Sequence, residues 1–282
     1  MKHYSLAALA LLSLLAAAPV EAALSRQERT MMATIDAEQE RTLAMLEKWV
    51  NQNSGSLNIE GVTKVGAMLR AELEPLGFKV DWVDMRATGR AGHVVATHRG
   101  NGKGKRMLLI GHLDTVFEPD SPFQRWERRG NDGIGPGAGD DKGGMAVMIA
   151  ALRAMKAAGT LKNADMMVVL TGDEEDTGNP IALARRDLIA AGKWADVALD
   201  YEGLVQDNGR DMGSIARRSS GSWTVSVKAN TGHSSGVFSD WAGFGANYEL
   251  ARILDAFRRE LREDKLTYNV GLIGGGTSAT LD

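Results

Sequence analysis

The sequence predicts an α/β domain, a largely parallel sheet flanked by helices, with a smaller inserted α+β domain, both incomplete at the C-terminal end. Three observations lead there. Short apolar runs alternate with stretches of helical periodicity between residues 62 and 200, the pattern of a layered α/β domain. Two of those runs, 107–111 and 166–170, lack polar alternation, as strands covered on both faces do. After about Gly213 the texture changes to a strand with one wet face, a long amphipathic helix and a further strand.

In chain order, Lys2 and His3 precede a run of Leu, Ala and Ser over 6–18, closed by small residues around Ala22 and Ala23. A basic start, a short apolar middle and a small-residue end describe a secretory signal peptide. The run is short for a membrane span, and an uncleaved anchor is the alternative. The expected product is exported, periplasmic or secreted, which sets residues 1–23 apart from 24–212 and 213–282.

Residues 29–50 carry Leu43, Leu46 and Val50 on one side of a predicted helix. Val62, Val65, Leu69, Leu73 and Leu76 mark a second, stopped by Gly77. Phe78, Val80 and Trp82 alternate as a strand, 93–97 forms another before the turn at 99–102, and 107–111 is the third. The stretch 114–141, rich in Gly, Pro and charge, reads as a long loop of the kind that is functional or disordered. Met145, Ile149, Leu152 and Met155 give a helix ending at Gly159, 166–170 a strand, 181–191 a helix and 196–200 a short strand. Beyond Gly213 the expected elements are a strand over 222–228, a helix over 241–261 and a strand over 268–273.

A formal net charge of −3 suggests neither nucleic acid nor an anionic membrane as partner. The absence of cysteine excludes disulfides, thiolate metal sites and a cysteine nucleophile. Chemistry concentrates where strands end. His112 and Asp114 lie at i and i+2 and share a face on extended backbone; a carboxylate beside an imidazole fixes its tautomer for metal binding. Glu174 and Glu175 follow one strand and Asp200 ends another, and ligands of open α/β sheets bind outside the carboxyl ends of strands. One imidazole with several carboxylates suits Zn²⁺, and oxygen-rich ligation tolerates Mn²⁺ or Co²⁺. Adjacent glutamates point apart, so one can ligate while the other moves a proton. Blander readings stand beside these. The 173–176 run could be a solvated acidic turn, and the glycine-rich 137–144 stretch a phosphate cradle. That stretch lacks the Lys-Ser/Thr ending of a P-loop and follows no strand directly. His93 and His98 read as core or surface histidines.

Together, Gly111-His112-Leu113-Asp114-Thr115-Val116, Gly137-Ala138-Gly139-Asp140-Asp141-Lys142-Gly143-Gly144, Asp173-Glu174-Glu175 and Asp200 resemble the co-catalytic zinc metallopeptidases. That family includes glutamate carboxypeptidase, aminoacylase, acetylornithine deacetylase and succinyl-diaminopimelate desuccinylase, and the exported glutamate-carboxypeptidase-like branch is most similar. The resemblance implies a zinc-peptidase catalytic domain with two zinc ions per complete site. His112 and Asp200 would hold one ion, Asp141 would bridge both, and Glu175 would hold the second. Asp114 would orient His112, and Glu174 would be the general base. His233, within Thr231-Gly232-His233-Ser234, would donate to a substrate carbonyl across a homodimer interface of the small domain. The peptide bond after Asp141 would be cis.

The resemblance also implies a second-zinc histidine downstream of the small domain. The chain has five histidines, none beyond His233, and stops at Asp282. The expectation is therefore a fragment of a longer protein or the product of a truncated gene, with at most one tight zinc per chain. The implied activity is hydrolysis of an amide bond in a peptide or N-acyl amino acid, by an exopeptidase releasing a C-terminal amino acid such as glutamate. The alternatives are an N-acyl amino acid deacylase and, from another class, a catalytically impaired metal-binding or dimerising remnant.

Overall fold

The computed structural model describes residues 23–217 and 219–276; the signal peptide expected over 1–23 lies outside them except for Ala23. These residues fall into two compact units divided between Gly213 and Ser214.

The first unit opens with α1 (Arg26–Ala37) and α2 (Gln39–Val50), where the periodicity had suggested one helix. Ser25 and Glu28 form a reciprocal capping box that starts α1. The break falls at Glu38, which leaves helical geometry and faces the buried Arg153 at 3.7 Å. The third helix, α3 (Ile59–Leu73), is capped by the Asn58 side chain. A 3-10 turn follows it, and Gly77 at φ 98° ends that turn in the left-handed region where glycine is favoured.

Strands β1 (Lys79–Asp84), β2 (Gly92–His98) and β3 (Met107–His112) follow. The stretch expected as a bare loop holds a small hairpin, β4 (Glu127–Arg129) and β5 (Asp132–Ile134), turned at Gly130 and Asn131. Then come α4 (Lys142–Ala157), β6 (Met166–Thr171), α5 (Ile181–Ala184), α6 (Arg186–Trp194) and β7 (Val197–Asp200). The helix expected over 181–191 is thus broken at Arg185.

The main sheet has the order β1-β2-β6-β3-β7. Its centre, β6-β3-β7, is parallel, and β1 and β2 are joined antiparallel. It is a mixed sheet with a parallel core. Strand β3 shows why its sequence is apolar throughout. Leu109 packs with α3 and α4 in the larger core, beside Leu69, Val168 and Ile149. Leu108, one residue away, points to the other face against Val169 and Ala191 of α6. Successive strand residues alternate faces, so a strand covered on both sides must be apolar at every position.

A second hairpin, β8 (Val205–Asp207) and β9 (Arg210–Met212), ends the unit. Asn208 and Gly209 both take positive φ at its turn, the residue pair that favours two-residue hairpins.

In the second unit, α7 (Ala246–Glu260) forms within the expected helical stretch. The strands expected over 222–228 and 268–273 form no ladder among the described residues. Alternation at Trp223, Val225 and Val227 is a pattern for one face only, and a strand also requires a partner in register. Trp223 is 93% exposed. No helix among the described residues is long and apolar enough to cross a membrane.

Candidate metal centre

Parallel pairing of β3 with β6 and β7 sets three carboxyl ends side by side. His112 at the end of β3 lies opposite Thr171 of β6, and Asp200 of β7 lies opposite Ile110. The chain leaving each strand therefore enters one crevice.

His112 is 1% exposed. Its Nδ1 donates to the Asp114 carbonyl oxygen at 3.1 Å and lies 3.4 Å from the Asp114 carboxylate. Its Nε2 faces outward, 2.7 Å from Asp140 Oδ1 and 3.9 Å from Glu202 Oε1. Ligand atoms of His112, Asp140 and Glu202 lie within 4.8 Å of one another, and so do those of His112, Glu174 and Glu175. His112 belongs to both groups and is their common corner.

Asp114, fully buried, accepts from the Ser56 hydroxyl at 2.6 Å and from the backbone N–H groups of Glu174 and Glu175 at 3.0 and 3.1 Å. One carboxylate thereby orients the imidazole and anchors the loop that carries both glutamates. Ser56 and this double backbone capture carry no signal in the sequence, because they depend on a contact 58 residues away in the chain.

Two expected ligands are placed otherwise. Asp141, at the N-cap of α4, turns inward. Its Oδ2 accepts the backbone N–H of His112 at 2.9 Å, and its Oδ1 is buried without a hydrogen-bond partner among the described residues. Glycine at 111 permits this approach, since a Cβ there would stand 2.5 Å from Asp141 Oδ2. The neighbouring Asp140 instead reaches the outward nitrogen of His112. Asp200 ends β7 on its exposed side and belongs to neither ligand group, whereas Glu202, two residues on, enters the crevice. The geometry gathers Asp140 and Glu202 around His112 in place of Asp141 and Asp200. The cis peptide bonds among the described residues are Asp140–Asp141 and Asn179–Pro180, so the first precedes Asp141 where it had been expected to follow. Glycine at 144 is required here too, because a Cβ would overlap both the Tyr201 carbonyl and Asp141.

His93 and His98 stand apart from both groups. His93 is fully buried; its Nε2 donates to the Ala184 carbonyl at 2.9 Å and its Nδ1 accepts the Gly172 N–H at 3.1 Å. His98 donates through Nδ1 to the Ala164 carbonyl and stacks at a tilt on Phe78. His233 belongs to the second unit, where it is bonded to Ser235 at 2.9 Å.

Burial first, and then neighbouring charge, govern the titration of this crevice. Burial pushes the His112 imidazole down, but Asp114, Asp141 and Asp140 outweigh it and hold the group at about 10. Burial lifts Asp141 to about 8, against the His112 contacts that lower it and with Glu202 and Asp140 adding to the rise. Glu175 and Glu202 are also raised, by burial first and then by neighbouring carboxylates, with His112 opposing. Asp114 is lowered despite burial, through hydrogen bonds from His112 and Ser56. The crevice carries more acid than its one imidazolium neutralises, the condition under which a divalent cation is welcome.

Known proteins resemble this chain. Carboxypeptidase G2 of a Pseudomonas species is 33% identical over 182 residues, 63% of this chain and 42% of that protein. Succinyl-diaminopimelate desuccinylase of Novosphingobium aromaticivorans is 35% identical over 173 residues, 58% of this chain and 44% of the relative. The chain thus spans less than half the length of these two relatives. The crystal structure of aminopeptidase PepT from Bacillus cereus superposes with a TM-score of 0.57 over 86% of this chain and 63% of that one, at 18% identity, which shows the shared fold. The profile of peptidase family M20/M25/M40 matches residues 108–279. That match begins inside β3 and takes in every strand end of the crevice, and the chain belongs to this family.

Proposed function

We propose that this chain carries the metal centre of an exported, zinc-dependent hydrolase of amide bonds, an exopeptidase that releases a C-terminal amino acid such as glutamate. The observation that carries the reading is His112, its Nε2 facing Asp140 and Glu202 and its ring grouped also with Glu174 and Glu175. Similarity to a carboxypeptidase supports the exopeptidase assignment. Similarity to a desuccinylase favours a second reading, an N-acyl amino acid deacylase using the same site.

The donor set fits the ion. One imidazole and several carboxylates, two of them raised by burial first and by neighbouring carboxylates second, match zinc and also accept Co²⁺ or Mn²⁺. His112, Asp140 and Glu202 would hold one ion, and Glu175 with a shared Asp140 would contribute to a second. When bound, the ion supplies Lewis acidity toward water and a substrate carbonyl. The protein's own groups do the rest. Asp114 holds the His112 ring so that Nε2 faces the crevice. Glu174, with its backbone pinned by Asp114, takes a proton from the attacking water and returns it to the leaving amine. His233 would act as a donor to the developing oxyanion in the site of the other subunit, across a homodimer interface of the small domain.

Purified protein supplied with zinc or cobalt should release a terminal amino acid from dipeptides or N-acyl amino acids. A complete protein inert to both panels would contradict this reading and favour a metal-binding, dimerising remnant.

Metal affinity should rise with pH. The free imidazole sits above its ordinary 6.5, at about 10, so it is protonated at neutral pH and the ion must displace that proton. Each proton released strengthens binding about tenfold per pH unit below the free-site value. The same shift makes the imidazolium stabilise the metal-free fold fully below about pH 6.5, a contribution lost as pH climbs through about 10. Zinc competition titrations between pH 6 and 8, with calorimetry in buffers of different ionisation heat, would show the release. A flat profile would remove His112 from the ligand set.

A further inference from the structure

The geometry points to Arg185 as a positioning residue for the loop that presents Glu174 and Glu175. This rests on the metal centre proposed above. Asp173, immediately before Glu174, is fully buried. Its Oδ1 pairs with Arg185 Nη1 at 2.5 Å, and its Oδ2 accepts the Gly178 N–H at 3.0 Å, which closes the loop on itself. The other arm of the Arg185 fork, Nη2, donates to the Asp173 carbonyl at 2.9 Å and to the Thr177 hydroxyl at 2.7 Å. One planar guanidinium therefore grips both ends of the turn, while Asp114 holds its middle by the Glu174 and Glu175 N–H groups. The backbone that carries the two glutamate side chains is thus held at its ends and at its middle.

The helix break agrees with this role. Arg185 falls between α5 and α6 at φ −101°, ψ 2°, outside helical geometry, and there its side chain runs back to the loop instead of along the helix surface. Its neighbour Arg186 points elsewhere and pairs with the adjacent Asp187 at 3.0 Å. A guanidinium makes several fixed bonds in one plane, and a lysine ammonium reproduces the charge without that fork. Residues that orient a metal ligand from behind typically change affinity 10- to 100-fold when removed.

The test is a cobalt(II) titration of the full chain, followed by visible absorption, with circular dichroism and thermal unfolding to confirm folding. Arg185→Lys should fold, bind cobalt about tenfold or more weakly and show a changed absorption band. Arg186→Ala, on the same segment, should leave both unchanged. A folded Arg185→Lys with the parent's affinity and band would overturn the proposal. Should Arg185→Lys not fold, Thr177→Val removes one of the gripped acceptors and is read the same way. Several-fold weakening supports the proposal and no change overturns it. A parent chain that binds no cobalt would overturn the metal centre itself, and the positioning role with it.

Discussion

Asp140→Ala should lower zinc affinity by more than about a hundredfold, beyond what losing a supporting partner costs, while Asp200→Ala should change it little. Asp140 Oδ1 faces the outward nitrogen of His112 at 2.7 Å, and the side chain is otherwise 59% exposed, so alanine removes the proposed ligand and disturbs no packing. Asp141 differs in kind. Its carboxyl is buried, held at about 8, and bonded to the His112 backbone. Asp141→Asn keeps an oxygen acceptor for that N–H and replaces a group that is largely neutral at pH 7 in the metal-free site. Its effect on zinc should stay within about tenfold, with Glu202→Gln falling nearer to Asp140→Ala. Equilibrium dialysis with zinc quantified by mass spectrometry separates the variants. Loss at Asp141 and Asp200 with retention at Asp140 and Glu202 would restore the ligand set that the bare sequence suggests.

Why motif spacing does not separate Asp141 from Asp140, or Asp200 from Glu202, has a physical answer. Motif spacing shows which turn carries the acid, but the direction of each of two adjacent side chains follows from backbone dihedrals at that turn. The inward space at Asp141 exists because residue 111 lacks a Cβ. Asp200 was legible as the end of a strand, yet the crevice lies past that end, where Tyr201 still bonds to the Ile110 carbonyl and Glu202 is the first acid free to turn in. His112, Asp114 and the glutamate pair were legible because strand alternation and strand ends are local features. The helix breaks at Glu38 and Arg185 were not, since each depends on a charged partner distant in the chain or on a loop the periodicity does not describe. The hairpin turn at Asn208 and Gly209 is legible in the sequence as an Asn-Gly pair. In the second unit alternation at 222–228 misled, because a period-two pattern specifies a face and says nothing of a neighbouring strand.

Glu174→Gln should reduce kcat about 10²- to 10⁴-fold, the range of a general base removed from a proton transfer, with zinc content and KM unchanged. The substitution is isosteric, and the backbone N–H that Asp114 accepts at 3.0 Å is untouched, so the loop keeps its place. Glu174 is exposed whereas Glu175 is half-buried and raised by burial and by Asp140. A group that exchanges protons with substrate needs access to it, and a ligand gains from desolvation that strengthens its attraction to a cation. Glu175→Gln should therefore give the opposite pattern, with metal lost first and turnover falling as a consequence that added zinc partly restores. Parallel measurement of zinc content and single-turnover rate on the two variants decides between them. Zinc lost from Glu174→Gln and retained in Glu175→Gln would mean that the two carboxylates exchange roles, the outcome expected if the loop gripped by Arg185 and Asp114 turned its first glutamate toward His112 and its second toward substrate.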